Sequence, residues 1–172
     1  VFEAPAYPIS EAAHYLMVPA STIRWWVTGR FHSGTVKPII RMPSHDSCLL
    51  SFMNLVEIHV LDAIRRKHKI SLPKVRAAME FFNEHLPGSK HPLANQQLET
   101  DGAHLFMELY GHLVNVSQHG QMAMRELVQA HLQRIDRNPA GIPIRLYPFT
   151  RKDEIAGPRV VVIDPRVSFG RP

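Results

Sequence analysis

Residues 9–30 constrain the fold more than any other stretch of this chain, because they predict two short helices joined by a tight turn. Ser10 is suited to cap the first helix, since its hydroxyl can accept a hydrogen bond from a free backbone N–H. Pro19 fits the start of the second helix, where a missing N–H costs little. Gly29 is a typical helix stop, so we expect the second helix over residues 20–28.

The predicted second helix has one apolar and one polar face. Ile23, Trp26 and Val27 share a side at the i, i+3, i+4 spacing of a buried helix face. The remaining positions, which we predict to contact DNA, are Ser21, Thr22, Arg24, Trp25 and Thr28. Short hydroxyls near a helix N-terminus bind phosphates, and arginine can form two hydrogen bonds with a guanine edge, so this face suits the major groove. An ordinary amphipathic helix pair with a solvated polar face fits the same pattern.

The segment that follows predicts a β-hairpin, which we call the wing. Residues 31–37 carry turn formers between apolar side chains, and residues 38–43 resemble a strand bounded by prolines. The basic side chains that we expect to contact phosphate or the minor groove are Arg30, His32, Lys37 and Arg41. A solvated hairpin with ordinary surface charges is the alternative.

Two longer helices are predicted after the wing. Ser51 is suited to cap a helix over residues 52–67, whose apolar positions are Phe52, Leu55, Val56, Val60, Leu61 and Ile64. We interpret the basic run at 65–69 as complementing the dipole at the end of this helix, and phosphate contact is the alternative. Ser71 is suited to cap a second helix, which we expect to end at Pro87 and Gly88. We call residues 1–88 the head.

Residues 89–160 predict a small α+β unit with an antiparallel sheet. The elements expected in it are a hairpin at 98–109, a strand at 111–116, a helix at 121–133, a turn at 137–141 and a strand at 142–147. The β-branched run at 160–163 predicts either a further strand or an edge that faces a partner. With the head, this unit gives an α+β fold in three parts, the third being a tail at 161–172.

Composition and spacing argue against several classes of protein. Of 172 residues, 45% are hydrophobic, which is enough for a folded core. Lys and Arg exceed Asp and Glu by 20 to 15, which permits nucleic-acid binding without establishing it. The single cysteine, Cys48, excludes an internal disulfide and a cysteine-cluster zinc site. No stretch approaches the ~18 apolar residues of a membrane span and no signal peptide is recognisable, so we expect a cytoplasmic protein.

The sequence contains no motif for catalysis or for a cofactor. The eleven histidines are scattered, and none forms an HExxH zinc motif. The nine glycines are dispersed, and no GxSxG nucleophile motif occurs. We therefore expect no enzyme activity, no metal and no cofactor.

Residues 7–26 resemble the N-terminal helix-turn-helix of MerR-like winged-helix regulators. The positions that match the family pattern are Tyr7, Ile9, Glu11, Ala12, Ala13, Leu16, Val18, Ser21, Thr22, Ile23, Arg24 and Trp26. The chain departs from the pattern at Met17, where a glycine is usual. It also departs at Pro19, where a capping serine is usual, and at Trp25, where a second basic residue is common.

Residues 162–172 resemble the opening of a small bacterial antitoxin domain, so we expect that domain to continue beyond Pro172. Head, middle and tail together resemble VapB-type antitoxins with a MerR-like head. That resemblance implies the antitoxin of a bacterial type II toxin–antitoxin operon, which binds operator DNA as a homodimer, represses its own operon and neutralises a PIN-domain ribonuclease toxin. It does not identify toxin-binding residues. The alternative is a MerR-like transcription regulator whose α+β unit senses a small ligand.

Overall fold

The computed structural model describes residues 1–31, 34–44, 48–66, 71–85, 90–95, 118–151 and 156–172. The elements of the head are β1 (Tyr7–Pro8), α1 (Ile9–Leu16), α2 (Ala20–Thr28), β2 (Arg30–Phe31), β3 (Gly34–Thr35), β4 (Leu49–Leu50), α3 (Phe52–Arg66) and α4 (Leu72–His85). After it come a 3₁₀ turn at Pro92–Ala94, α5 (Gln118–Leu132), β5 (Ile135–Arg137), β6 (Pro143–Leu146) and a 3₁₀ turn at Ser168–Gly170. Helices and short antiparallel strand pairs are mixed, so the predicted α+β class is confirmed.

Helix α2 has the bounds that the sequence predicts. Pro19 precedes its first turn, and Gly29 ends it in the left-handed conformation at φ +64°. Ile23, Trp26 and Val27 are buried, each with at most 1% of its surface exposed. The predicted division of this helix into two faces is therefore confirmed on the apolar side.

Helix α1 starts differently from the prediction. It begins at Ile9 with Pro8 as its cap and no side-chain capping bond, so the prediction for Ser10 is wrong. The fixed φ of proline provides the extended backbone from which the helix starts. Met17 ends the helix at φ +52°, a left-handed conformation in which its Cβ costs roughly 1–2 kcal/mol. This is the position where the MerR-like pattern has a glycine.

Within the described residues, the strands form three antiparallel pairs. Strand β1 pairs with β4, β2 with β3, and β5 with β6. The strand predicted at 38–43 is wrong, since this segment has no strand partner in the described residues. Instead, the N–H groups of Ile39 and Ile40 both donate to the Trp26 carbonyl, at 2.8 and 3.1 Å. The segment thus supplies hydrogen-bond donors to a carbonyl near the end of α2, which would have no partner in an isolated helix.

Helix α3 lies at the centre of the core. All six of its predicted apolar positions are fully buried, and the helix contacts α1, α5, β4 and β6. Ser51 caps it as predicted, because the Asn54 N–H donates to Ser51 Oγ at 3.2 Å. The Ser51 N–H in turn donates to Asn54 Oδ1 at 3.0 Å, so the two residues form a reciprocal capping box. A helix that is covered on nearly every side organises the elements around it.

The remaining helices agree with the prediction where the structure describes them. Helix α4 begins directly after Ser71. Helix α5 begins at Gln118 rather than at Gln121 and buries Leu127, Val128 and Leu132. The predicted stop at 87–88, the hairpin at 98–109 and the strand at 111–116 lie outside the described residues. Among the helices of the described ranges, none has the length and apolar character to cross a bilayer.

The predicted turn at 137–141 is confirmed, and it leads into β6. The strand predicted at 160–163 is wrong, because only Ile163 pairs with the sheet. It exchanges two backbone hydrogen bonds with Leu146, at 2.8 and 3.0 Å. Val160 and Val162 are exposed.

The tail packs against the head. Arg171 Nε donates to Glu11 Oε1 at 3.0 Å, and Gly170 is buried next to Tyr7. The Tyr7 hydroxyl is itself buried and has no hydrogen-bond partner in the described part of the chain. Burial raises the pKa of Tyr7 to about 12. Buried residues of the head, α5, β6 and the tail form one hydrophobic cluster, and the part boundaries at 88 and 160 stay a prediction.

Candidate nucleic-acid interface

The polar side of α2 presents one unengaged arginine. Ser21 and Arg24 are exposed, whereas Thr22 and Thr28 are half-buried. Thr28 Oγ1 donates to the Arg24 carbonyl at 2.7 Å, so the proton of this hydroxyl is used within the helix. The Arg24 guanidinium has no hydrogen bond or ion pair to the described residues, and all five of its donors remain available.

Trp25 is half-buried rather than fully exposed on that polar side. The guanidinium carbon of Arg65 on α3 lies 5.9 Å from the centre of its ring, and that of Arg76 on α4 lies 5.8 Å away. Cation–π contacts at such sites stabilise by about 0.5–1 kcal/mol each. The ring therefore serves at least as a packing surface between α2 and the two longer helices.

Arg76 joins three parts of the head. Besides its contact with Trp25, its Nε donates to the Lys37 carbonyl in the segment after β3 at 3.0 Å. Its Nη2 is buried without a hydrogen-bond partner in the described ranges, and so is Nε of Arg65. Burial lowers the pKa of Arg65, with the charge of Asp62 acting in the opposite direction. The role of Arg76 could not be predicted from the sequence, because a lone arginine on an amphipathic helix carries no local sign of its partners.

The wing closes on α2 at Gly29. The Val36 N–H donates to the Gly29 carbonyl at 2.8 Å, and a Cβ at Gly29 would lie 1.8 Å from the Val36 oxygen. Only a residue without a side chain allows this approach at a positive φ. Lys37 and Arg41 are exposed, and the Arg41 carbonyl accepts a bond from Asn54 Nδ2 at 3.0 Å.

Two of the predicted wing contacts have side chains that the structure does not describe. Arg30 lies in β2, opposite Thr35, but its side chain is outside the described part, and His32 is outside it altogether. Their DNA contacts stay predictions. The structure thus provides an exposed Arg24, Lys37 and Arg41 on one folded head.

Arg134 is a buried charged residue that joins several backbone segments after the head. Arg134 is 5% exposed, and its guanidinium donates to four backbone carbonyls, those of Tyr147, Pro148, Gly157 and Pro158. It also lies over the Phe149 ring at 4.2 Å. Within the described ranges, no group of three His, Cys, Asp or Glu side chains is arranged to hold a metal ion.

Comparison with known proteins provides the family. No family model matches the chain. A crystal structure of Rv2018 from Mycobacterium tuberculosis has the same fold, with a TM-score of 0.65 at 24% identity over 99% of this chain and 79% of that one. A protein of Mycobacterium tuberculosis (strain ATCC 25618 / H37Rv) named "Putative antitoxin VapB45" is 30% identical over 196 aligned positions, which cover 99% of this chain and 77% of that protein. This chain therefore belongs to the VapB-type antitoxins.

Proposed function

We propose that this protein is the antitoxin of a bacterial type II toxin–antitoxin pair and that its head is a MerR-like winged helix-turn-helix that binds operator DNA. In this proposal α2 lies in the major groove and the wing contacts the adjacent backbone. The protein represses its own operon and is a regulator rather than an enzyme. Membership of the VapB-type antitoxins supports the antitoxin role.

The observation that carries DNA binding is the division of α2 into two faces. Its apolar side is fully used in the core, while Arg24 stands exposed on the other side without a protein partner in the described residues. An arginine in the major groove discriminates between bases through guanine O6 and N7. Lys37 and Arg41 would then neutralise phosphates, which supplies affinity but no sequence specificity.

A homodimer belongs to this proposal, because one short helix contacts too few base pairs for a specific operator. Two copies of α2 would enter successive major grooves about 34 Å apart, and the operator would have two half-sites with the same spacing. The partner toxin that we propose is a PIN-domain ribonuclease.

DNA binding is tested with a labelled fragment of the DNA upstream of the protein's own gene, random DNA as competitor, and two salt concentrations. We expect specific binding that weakens as salt rises. Arg24→Ala should weaken specific binding by about 1–3 kcal/mol. Arg125→Ala, on the exposed side of α5, removes the same charge outside the head and should leave binding unchanged. Equal binding by Arg24→Ala and the unmodified protein would contradict the proposed role of α2.

The toxin partner is tested separately by co-expression with the neighbouring gene. We expect a small ribonuclease to co-purify with this protein and to lose its activity in the complex. Specific DNA binding without such a partner would favour the alternative, a transcription regulator that responds to a small ligand.

A further inference from the structure

A cavity of about 350 Å³ lies between the residues that precede β1, the segment before α3 and the segment before the first 3₁₀ turn. The residues around it are Glu3, Pro5, Arg41, Met42, Pro43, Ser51, Lys90 and His91. Its volume is at the lower end of the range for small-molecule sites. Its wall combines apolar surface with several ionisable groups, so the charge balance decides which ligand it suits.

Two of the basic side chains in the wall are already paired with carboxyl groups. Lys90 Nζ lies 2.7 Å from Glu3 Oε2, and this ion pair has no net charge. His91 Nδ1 lies 3.0 Å from Oε2 of the buried Glu57, which also accepts a bond from Asn54 Nδ2 at 3.3 Å. Burial raises the pKa of Glu57, and the hydrogen bond with His91 acts in the opposite direction. Lys90 and His91 therefore each have a carboxyl partner in the described part of the chain.

Arg41 is the positive group that remains. Its backbone is fixed through its carbonyl to Asn54, while its exposed guanidinium has no hydrogen bond or ion pair to the described residues. Arg41 is therefore a cationic side chain of the cavity wall that has no carboxylate partner among the described residues.

The apolar part of the wall comes from Pro5, Met42 and Pro43, and Ser51 is a further polar residue in it. Met42 is only 7% exposed. A ligand matched to this wall has one negative group and an apolar body. A planar carboxylate fits a guanidinium through two parallel hydrogen bonds. A phosphate carries more negative charge at neutral pH than one unbalanced arginine would match.

We propose that this cavity binds a small organic monocarboxylate, with the carboxylate on Arg41 and the apolar body against Pro5 and Met42. Arg41 is also a predicted DNA contact, so the bound ligand would occupy a side chain that the proposed DNA complex needs. The binding itself does not depend on the proposed function, and it is measured without DNA.

The test uses benzoate and butyrate as probes, with the neutral benzamide as the matched control for benzoate. Binding to the full chain is followed by calorimetry and by thermal unfolding at constant ionic strength. We expect saturable binding of at least one carboxylate with a stoichiometry of one, and at least tenfold weaker binding of benzamide. Inorganic phosphate, measured in parallel, should bind more weakly than the carboxylate.

Two variants separate the site from general charge effects. Arg41→Gln should weaken carboxylate binding at least tenfold, and because this side chain is exposed the fold should be retained. Arg125→Gln, which removes the same charge from the exposed side of α5, should bind like the unmodified protein. The proposal is overturned if neither carboxylate binds saturably, if benzamide or phosphate binds as well, or if Arg41→Gln has no effect.

Discussion

Arg76 on α4 and Lys37 in the wing are joined by a hydrogen bond from the Arg76 Nε to the Lys37 carbonyl, at 3.0 Å. The same guanidinium packs on Trp25 of α2. One side chain therefore fixes the spacing between the proposed recognition helix and the segment that carries a proposed phosphate contact. Both contacts depend on the planar arrangement of the arginine nitrogens and not on charge alone.

Arg76→Lys and Arg76→Met should weaken operator binding to a similar extent, by about tenfold, because each loses the bond to Lys37 and the packing on Trp25. The slope of the binding constant against salt should not change, since no phosphate contact is lost. Titrations at several salt concentrations measure both quantities. If Arg76→Lys bound the operator as tightly as the unmodified protein, or if the magnitude of the salt slope fell by about one, Arg76 would instead be a phosphate ligand.

Gly29→Ala should destabilise the protein by about 2 kcal/mol or more. The new Cβ would meet the Val36 carbonyl oxygen at 1.8 Å, and alanine is disfavoured at φ +64°. The expected result in denaturant unfolding is a lower midpoint, with weaker operator binding as the wing moves away from α2. A loss below about 0.5 kcal/mol, the usual range for a surface substitution, would show that this close approach is not retained in solution.

Met17→Gly should have the opposite effect and stabilise the protein by roughly 0.5–1 kcal/mol. Relief of the left-handed strain at φ +52° outweighs the greater backbone entropy of glycine in the unfolded chain. Met17→Ala is the matched control, because it removes the same side chain beyond Cβ but keeps the strain. Thermal unfolding measures both variants. If Met17→Gly is no more stable than Met17→Ala, the proposed backbone strain at Met17 is contradicted.

Glu57→Gln should change how stability depends on pH. Burial raises the pKa of Glu57 above its ordinary 4.5, although the hydrogen bond from His91 lowers it in part. A raised folded-state pKa means that the group favours folding below its unfolded pKa and loses that contribution as pH rises through the folded pKa. Unfolding of both proteins between about pH 4 and pH 7 should therefore show the variant gaining relative to the unmodified protein. A constant difference across this range would argue against a raised pKa.

Tyr7→Phe should leave stability unchanged or raise it by about 1 kcal/mol, because the buried hydroxyl has no partner among the described residues. Gly170→Ala should be destabilising, since a Cβ there would lie 1.8 Å from the tyrosine oxygen. Chemical denaturation measures the free energy of unfolding of both variants. A clear loss of stability in Tyr7→Phe would reveal a bond to that hydroxyl, such as one through an ordered water.

The features that could be predicted from the sequence are those set by residues close together in the chain. Pro19 and Gly29 fix the ends of α2 through their own backbone preferences, and Ser51 caps α3 through a residue three positions away. The half-buried position of Trp25 depends instead on Arg65 and Arg76, which lie on other helices. No periodicity within α2 contains that information.

The two wrong strands have the same kind of cause. Residues 38–43 have strand-like composition, but the N–H groups of Ile39 and Ile40 donate to the Trp26 carbonyl at the end of α2 instead of to a neighbouring strand. The β-branched run at 160–163 pairs with β6 through Ile163 alone. In both segments the local strand propensity is not sufficient, because a strand also needs a neighbour to pair with along its length.

The contact between tail and head also affects the order in which the chain can fold. Glu11 and its partner Arg171 are separated by 160 positions, and Tyr7 is covered by residues from the same distant segment. A ribosome delivers the head first, at about 5–20 residues per second. Helices α1 and α2 can form early from local contacts, but the outer side of β1 stays exposed to water and to chaperones until residue 171 has been synthesised.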